Sequence, residues 1–174
     1  LILFLIPLAP PRAECDPMTP DPVYKQQGYW TVKYNWKVRG IHVALLKGTD
    51  SHSQILWWNR GPGPVPNNDH ARLWRFEPGD TLSSLIETTN IIDVPTEAFE
   101  DIFCGGLSVL QDGRLLVTGG TEISNTGLDL TKIFNPGLTP DPDWTTEESM
   151  IDARYYPTNT VLKDGTTLVT SGRR

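Results

Sequence analysis

An 18-residue segment that occurs twice limits the folds open to this chain more than any other feature. FCGGLSVLQDGRLLVTGG occupies residues 103–120 and YYPTNTVLKDGTTLVTSG occupies residues 155–172, so the copies are 52 residues apart. In both copies an Asp-Gly pair separates two short apolar runs. This arrangement is a strong β-hairpin signal, because both central residues of the tightest hairpin turn adopt positive φ. The repeat therefore predicts two hairpins of the same design.

The flanking sequence extends each hairpin into a longer unit. A weaker earlier copy covers residues 40–61, and strand-like runs with an aromatic residue and a proline follow at residues 73–78 and 131–136. Trp144 comes after the second of these runs. Such a pattern, at a period of about 50 residues, is typical of the kelch units of a β-propeller. We therefore predict an all-β, kelch-type β-propeller with about two to three four-stranded blades in this chain, and we interpret residues 27–36 as a leading outer strand.

The charge and composition of the chain exclude some classes of partner. The formal net charge is -6, whereas binding to nucleic acids or anionic membranes favours clustered Lys and Arg. The chain has 15 Gly and 15 Pro among short apolar runs, which favours a turn-rich β protein. We therefore expect no nucleic-acid partner.

The first residues of the chain are strongly apolar. The run from Leu1 to Ala9 is too short to cross a bilayer, which needs about 20 residues. We interpret residues 1–14 as a truncated secretory signal peptide, with a buried apolar strand as the alternative. Residues 15–174 would then be the N-terminal blades of an incomplete propeller, because a closed propeller has at least about four blades. This interpretation predicts a secreted protein without a membrane span.

The 52-residue offset also pairs Cys104 with an equivalent residue, Tyr156. Each would lie just before the innermost strand of its blade, the strand nearest to the central axis. Equivalent inner positions of adjacent blades are neighbours in space. The repeat therefore predicts a thiol beside a phenol at the mouth of the propeller. The two glycines after Cys104 would allow close packing there.

These residues resemble a known family, the copper radical oxidases, which are kelch propellers and include galactose oxidase and glyoxal oxidase. The matching segments are FCGG at residues 103–106 and ARYYPT at residues 153–158, within a resemblance over roughly residues 28–172. Many relatives have Trp where this chain has Tyr155. The resemblance implies that the sulfur of Cys104 is joined covalently to the ring of Tyr156, ortho to its oxygen, and that this oxygen binds copper.

The resemblance also implies the cofactors and the reaction. One copper ion and the thioether-linked Cys104–Tyr156 radical cofactor would remove two electrons from a primary alcohol, an aldehyde or a sugar and reduce O2 to H2O2. The family's other copper ligands, a tyrosine and two histidines, belong to later blades and a C-terminal domain. His42, His52 and His70 match none of them, so we do not expect these three to bind copper. We expect the protein to be a monomer.

Other interpretations of the same residues stay open. Cys104 is alternatively a buried free thiol or a disulfide partner of Cys15, and Tyr156 is alternatively an ordinary core aromatic. A kelch propeller can also bind carbohydrate or protein without catalysis, which is the alternative to an oxidase. The residues that we expect to be purely structural are Phe134, Trp144 and Arg154, the last as a brace within a blade.

We predict that the 174-residue chain on its own has no oxidase turnover. The physical reason is that Tyr156 is the one copper ligand that the resemblance assigns to it. The measurement is peroxide release from the isolated, copper-treated chain with primary alcohols and aldehydes. Turnover above that of free copper would contradict the prediction.

Overall fold

The computed structural model describes the chain in seven segments. These are residues 40–47, 53–60, 71–76, 91–94, 101–121, 126–137 and 143–173. The predictions for the signal peptide, the leading strand at 27–36, Cys15, His52 and His70 lie outside these segments.

The described residues form ten strands in three antiparallel sheets. The first sheet has the order β1-β2-β3-β4 and the second has the order β5-β6-β7-β8. The third sheet pairs β9 with β10. The strand bounds are β1 His42–Lys47, β2 Ser53–Trp58, β3 Ala71–Phe76, β4 Ile91–Val94, β5 Gly106–Val109, β6 Leu115–Thr118, β7 Thr131–Asn135, β8 Asp143–Thr146, β9 Tyr155–Val161 and β10 Thr167–Arg173.

The predicted all-β class is confirmed. Over the seven described segments the chain has strands and turns and no helix, so none of these residues forms a helix with the length and hydrophobicity that a membrane crossing needs. Each four-stranded sheet runs in sequence order, with neighbouring strands antiparallel. This up-and-down order is the one expected of a propeller blade. The propeller itself stays a prediction.

The main core lies between the two four-stranded sheets. In β1, Ala44 and Leu46 are buried while Val43 and Leu45 are exposed. Because side chains alternate between the two faces of a strand, one face of β1 packs into this core. Burying each large side chain of such a core stabilises the fold by about 1.5–3 kcal/mol relative to exposure. The buried residues of the core are Ala44, Leu46, Leu56, Trp58, Ala71, Leu73 and Val94 from the first sheet, and Ile102, Leu115, Val117, Leu130, Phe134 and Trp144 from the second sheet and its loops.

Two aromatic residues predicted to be structural lie in this core. Phe134 is fully buried and Trp144 is 8% exposed, with their ring centroids 5.1 Å apart. Trp144 also meets the edge of Trp58 from the first sheet, at 6.1 Å between centroids. Perpendicular aromatic pairs of this kind stabilise a core beyond the area that they bury. Their structural role is confirmed.

The sequence repeat is also a repeat of backbone conformation. Eight of the described residues have positive φ, and they fall into two sets of four that are related by the 52-residue offset. Two of the eight lie in the hairpin turns, four lie at or just after the end of a second strand, and the other two are Cys104 and Tyr156. The two sets are Cys104, Gly113, Gly119 and Gly120, and Tyr156, Gly165, Ser171 and Gly172.

The Asp-Gly turns differ in one respect from the tightest hairpin turn. Gly113 has a φ of 89°, but Asp112 is not in the positive-φ region. The Gly113 N–H donates to Leu110 O (3.0 Å) and the Leu110 N–H donates to Arg114 O (2.8 Å). This pattern is a type I turn followed by a left-handed glycine, the usual three-residue hairpin connection. Asp112 accepts the Arg114 N–H through its side chain, which favours an ordinary φ at the aspartate.

The third sheet packs against β5, the first strand of the second sheet. At Gly106, which begins β5, a Cβ atom would lie 2.6 Å from Asn159 Oδ1 and 2.8 Å from Pro157 O of β9. The Thr118 hydroxyl of β6 donates to Asn159 Oδ1 at 2.7 Å. The predicted close packing at the glycines after Cys104 is therefore confirmed, and it brings the starts of β5 and β9 together.

Two glycine substitutions separate backbone strain from lost space. Gly113→Ala and Gly119→Ala each place a side chain at positive φ, which costs about 1–2 kcal/mol. A Cβ on Gly113 meets nothing within 4 Å, whereas one on Gly119 collides with Arg154 O. We expect Gly119→Ala to lower the free energy of unfolding by about 1–3 kcal/mol more than Gly113→Ala. Denaturant unfolding measures the difference, and equal losses would contradict this packing.

Candidate functional site

Cys104 lies in a tight turn that leads into β5. The Gly105 N–H donates to Ile102 O at 3.2 Å, which closes a four-residue turn with Phe103 and Cys104 at its centre. Cys104 has a φ of 63°, a conformation that glycine usually provides at this turn position. A non-glycine residue there costs on the order of 1–3 kcal/mol and persists when its surroundings hold it. The Cys104 side chain is 1% exposed and carries a free thiol.

Two residues of the first sheet, His42 and Trp58, contact this turn. The Cys104 N–H donates to His42 Nε2 at 2.9 Å. The His42 ring stacks on Trp58, with centroids 5.1 Å apart and planes at 12°, and meets the Phe103 ring edge-on at 5.5 Å. Burial lowers the pKa of His42, because desolvation disfavours the charged imidazolium. A neutral His42 leaves Nε2 free to accept the bond.

Tyr156 lies beside this turn, as the offset predicts. Its backbone N–H donates to Cys104 O at 3.0 Å. Its φ is 59°, close to the 63° of Cys104. Tyr156 is the second residue of β9 and not, as predicted, a residue just before the strand, because Tyr155 already pairs with Arg173 of β10. The backbones of the two candidate residues are thus joined directly.

The side chains of this pair interact as well. A hydrogen bond to the Cys104 side chain, followed by one to the Tyr155 side chain, raises the pKa of Tyr156 above its ordinary value. Both bonds favour the neutral phenol over the phenolate. The structure therefore brings the thiol and the phenol of the predicted pair into contact.

Tyr155 and Arg173 extend the group on the β9 side. The Tyr155 and Tyr156 ring centroids are 4.3 Å apart at 60°, although successive side chains of a regular strand point to opposite faces. Positive φ at Tyr156 breaks this alternation. The Arg173 guanidinium lies 5.2 Å from the centroid of the Tyr155 ring, within the range of a cation–π contact.

The structure distinguishes between some of the alternatives left open by the sequence. Tyr156 is 59% exposed in this chain and lies outside the core between the two four-stranded sheets. Cys104 is buried and unlinked, while its alternative partner Cys15 lies outside the described segments. The Arg154 side chain donates to Ser171 O, which agrees with the predicted bracing role. The thioether itself stays a prediction.

The described residues fit the Cys–Tyr part of the implied cofactor better than the whole copper site. They supply one exposed phenolic oxygen, at Tyr156, in contact with a thiol. Within the seven described segments, no group of three or more His, Cys, Asp or Glu side chains could hold a metal ion. Copper prefers nitrogen and oxygen ligands at several positions. A copper ion on Tyr156 would thus need ligands from outside this set.

His42 is the site residue that sequence reasoning missed. From the sequence we weighed His42 only as a copper ligand, which we do not expect it to be, and not as an acceptor for a backbone amide. The available signal was its position. His42 begins β1, the first strand of the first sheet, as Gly106 begins β5, the first strand of the second, so the two strand starts occupy equivalent places in their sheets.

The resemblance read from the motifs is confirmed by comparison with known sequences. The chain is 27% identical over 158 residues to galactose oxidase from Gibberella zeae, in two sequences of that fungus. The match covers 83% of this chain and 22% of the relative, so the chain spans about a fifth of the length of the curated relatives it matches. No family model matches the chain.

A solved structure shares the fold. It is a fungal alcohol oxidase of the AA5 family in complex with copper, with a TM-score of 0.54 and 23% sequence identity. The likeness covers 81% of this chain and 26% of that structure. The described strands thus share the fold of about a quarter of that structure.

The thiol–phenol contact has a measurable consequence in the copper-free, unlinked protein. Because hydrogen bonds to Cys104 and Tyr155 raise the pKa of Tyr156, the stability that they supply is complete below about pH 10 and is lost as pH rises above it. We expect Cys104→Ala to bring this pKa back toward its ordinary value. The measurement is tyrosinate absorbance against pH, with Tyr156→Phe subtracted to isolate this residue.

Tyr155→Phe is the matched control for that titration. It removes the second hydrogen bond and keeps the ring, so it should lower the pKa of Tyr156 less than Cys104→Ala does. An unchanged titration in Cys104→Ala would contradict the contact between thiol and phenol.

Proposed function

We propose that this chain is the N-terminal part of a secreted copper radical oxidase. In this proposal Cys104 and Tyr156 form a thioether-linked redox cofactor, and the Tyr156 oxygen is one copper ligand. The observation that carries the proposal is the joined pair: two non-glycine residues with φ of 63° and 59°, linked by a backbone hydrogen bond and by a contact between thiol and phenol. Strained backbone of this kind is concentrated at functional sites.

The two side chains suit their proposed roles. The Cys104 thiol is buried, which protects sulfur from unwanted oxidation, whereas Tyr156 is 59% exposed and accessible to a substrate. The similarity to galactose oxidase and to a copper-containing alcohol oxidase supports the choice of metal and reaction class.

Formation of the cofactor is a balanced oxidation. A C–S bond forms between Cys104 and the Tyr156 ring, while the S–H bond and one ring C–H bond break. The two electrons and two protons released reduce O2 to H2O2. The backbone bond between the two residues keeps sulfur and ring together before the reaction, which is positioning of the kind that lowers an entropic barrier.

The proposed catalytic reaction has the same electron balance. A primary alcohol loses two electrons and two protons to become an aldehyde, and O2 takes up both to become H2O2. An aldehyde substrate would add water and give the acid. Copper, when bound, accepts one electron, and the sulfur-substituted phenol of Tyr156 supplies the second oxidising equivalent. Sulfur on the ring lowers the potential needed, because spin density spreads onto it.

The proposal includes a setting and partners. The protein would be a secreted monomer in a kelch propeller, with residues 1–14 as the truncated signal peptide. Its partners would be O2 and a small alcohol, aldehyde or sugar. The net charge of -6 agrees with such a neutral small-molecule substrate and with no nucleic-acid partner.

Peptide mass spectrometry on the full-length parent protein, of which this chain would be the N-terminal part, tests the proposal. Trypsin places Cys104 in the peptide 76–114 and Tyr156 in the peptide 155–163, because cleavage follows Lys and Arg. After exposure to copper and air, we expect these peptides to stay joined under thiol reduction, with the loss of two hydrogens. Peroxide release with alcohols and aldehydes should accompany the joined form.

Two variants sharpen that test. Tyr156→Phe and Cys104→Ser should each abolish the link, whereas Tyr155→Phe, in the same peptide, should keep it. If wild-type Cys104 instead alkylates fully after copper and air exposure, the oxidase proposal is wrong. The propeller would then bind carbohydrate or protein without catalysis.

A further inference from the structure

The turn that holds Cys104 depends on one side chain from the neighbouring sheet. Within the turn from Ile102 to Gly105, the Gly105 N–H is bonded to Ile102 O and the Phe103 N–H to Asp101 Oδ1 (2.9 Å). The Cys104 N–H has a different acceptor, His42 Nε2 at 2.9 Å. A buried amide without an acceptor costs on the order of 1–3 kcal/mol.

The His42 ring is itself held in place on two sides. It stacks on Trp58 and meets the edge of Phe103. The Trp58 Nε1–H donates to Ile102 O at 3.3 Å, so the residue under the imidazole is bonded to the same turn. His42, Trp58 and the turn therefore form one closed set of contacts, with the amide bond from Cys104 at its centre.

These contacts continue to Tyr156. Cys104 donates its N–H to His42 and accepts the Tyr156 N–H at its carbonyl. The N–H and the carbonyl of Cys104 are thus both held by hydrogen bonds, and Cys104 carries the thiol. Because the direction of a side chain follows from its backbone dihedrals, the bond to His42 sets where the thiol points.

We propose that His42 is a positioning residue for the Cys104–Tyr156 pair, holding Cys104 in the left-handed turn that aims its sulfur at the Tyr156 ring. His42 does this by accepting the Cys104 amide proton at Nε2, and not by binding metal. The proposal rests on the proposed function only for its consequence in cofactor formation. Its structural part concerns the unlinked thiol and can be tested without copper.

The test compares two His42 variants in the intact protein. His42→Gln keeps an acceptor at the reach of Nε2 and loses the ring, while His42→Phe keeps a ring to stack on Trp58 and loses the acceptor. After addition of copper to copper-free protein in air, the rate of joining of peptides 76–114 and 155–163 is followed. We expect His42→Phe to slow joining about tenfold, the order set by one buried hydrogen bond, and His42→Gln to stay within about threefold of wild type.

Two controls separate positioning from stability. Val43→Ala changes the next residue of β1, which is 47% exposed, and should leave the joining rate unchanged. Val94→Ala removes buried volume from β4, at the opposite edge of the first sheet from β1, and should lower the unfolding temperature while keeping His42 and its hydrogen bond. If Val94→Ala slows joining as much as His42→Phe at equal loss of stability, His42 acts through stability alone and the proposal is overturned.

A second readout keeps this test independent of the oxidase proposal. Without copper, Cys104 in the native protein should react with an alkylating reagent about tenfold faster in His42→Phe than in wild type or His42→Gln, because the turn opens more often. If wild-type protein never forms the link, the proposed function fails while this comparison still tests His42. If His42→Phe does not fold, His42→Asn takes its place as the variant without an acceptor, because the Asn side chain is too short for its oxygen to reach the Cys104 N–H. Equal reactivity of the Gln and Phe or Asn variants would overturn the proposal.

Discussion

The backbone hydrogen bond from the Tyr156 N–H to Cys104 O joins two segments of the chain at a pair of residues that both have positive φ. The residues around this bond are packed so that the two segments can approach closely. Gly106 has no side chain because Pro157 and Asn159 occupy the space where its Cβ would be. The thiol and the phenol meet because the backbones that carry them already do. Chemistry between the two side chains therefore needs little further ordering, which is the usual way in which a fold contributes to reactivity.

The same left-handed conformation occurs on both sides of the contact for a geometric reason. A regular strand start would alternate its side chains, and Tyr155 and Tyr156 would then face opposite ways. Positive φ at Tyr156 turns its ring toward Tyr155 and Cys104 instead. On the other side, Cys104 takes the turn position that normally requires glycine, and His42 and Trp58 hold it there. Three described non-glycine residues thus have positive φ, namely Cys104, Tyr156 and Ser171, and two of them would form the cofactor. Packing of the first sheet supports Cys104.

Much of the fold followed from pattern alone, and the exceptions have physical causes. The Asp-Gly turns, the aromatic strands β3 and β7 and the buried Trp144 were all predictable, because hairpin chemistry and alternating apolar residues act over short distances. The turn type was predicted less well, because the Asp112 side chain captures the Arg114 N–H and so selects the longer connection. The role of His42 was missed because its partner is a backbone amide 62 residues away in the sequence. Every residue except proline has such an amide, so the residue types give no sign of the bond.

The sequence by itself determined the all-β class, the 52-residue repeat and the pairing of Cys104 with Tyr156, since equivalent positions of a repeat take equivalent places. Only the tertiary structure decided how the pair is presented: a buried thiol, an exposed phenol, a direct backbone bond between them and a histidine beneath. The physical reason is range. Periodicity and turn residues encode local conformation, whereas burial and the acceptor for a given amide depend on which sheets pack together, and that is settled by the whole core.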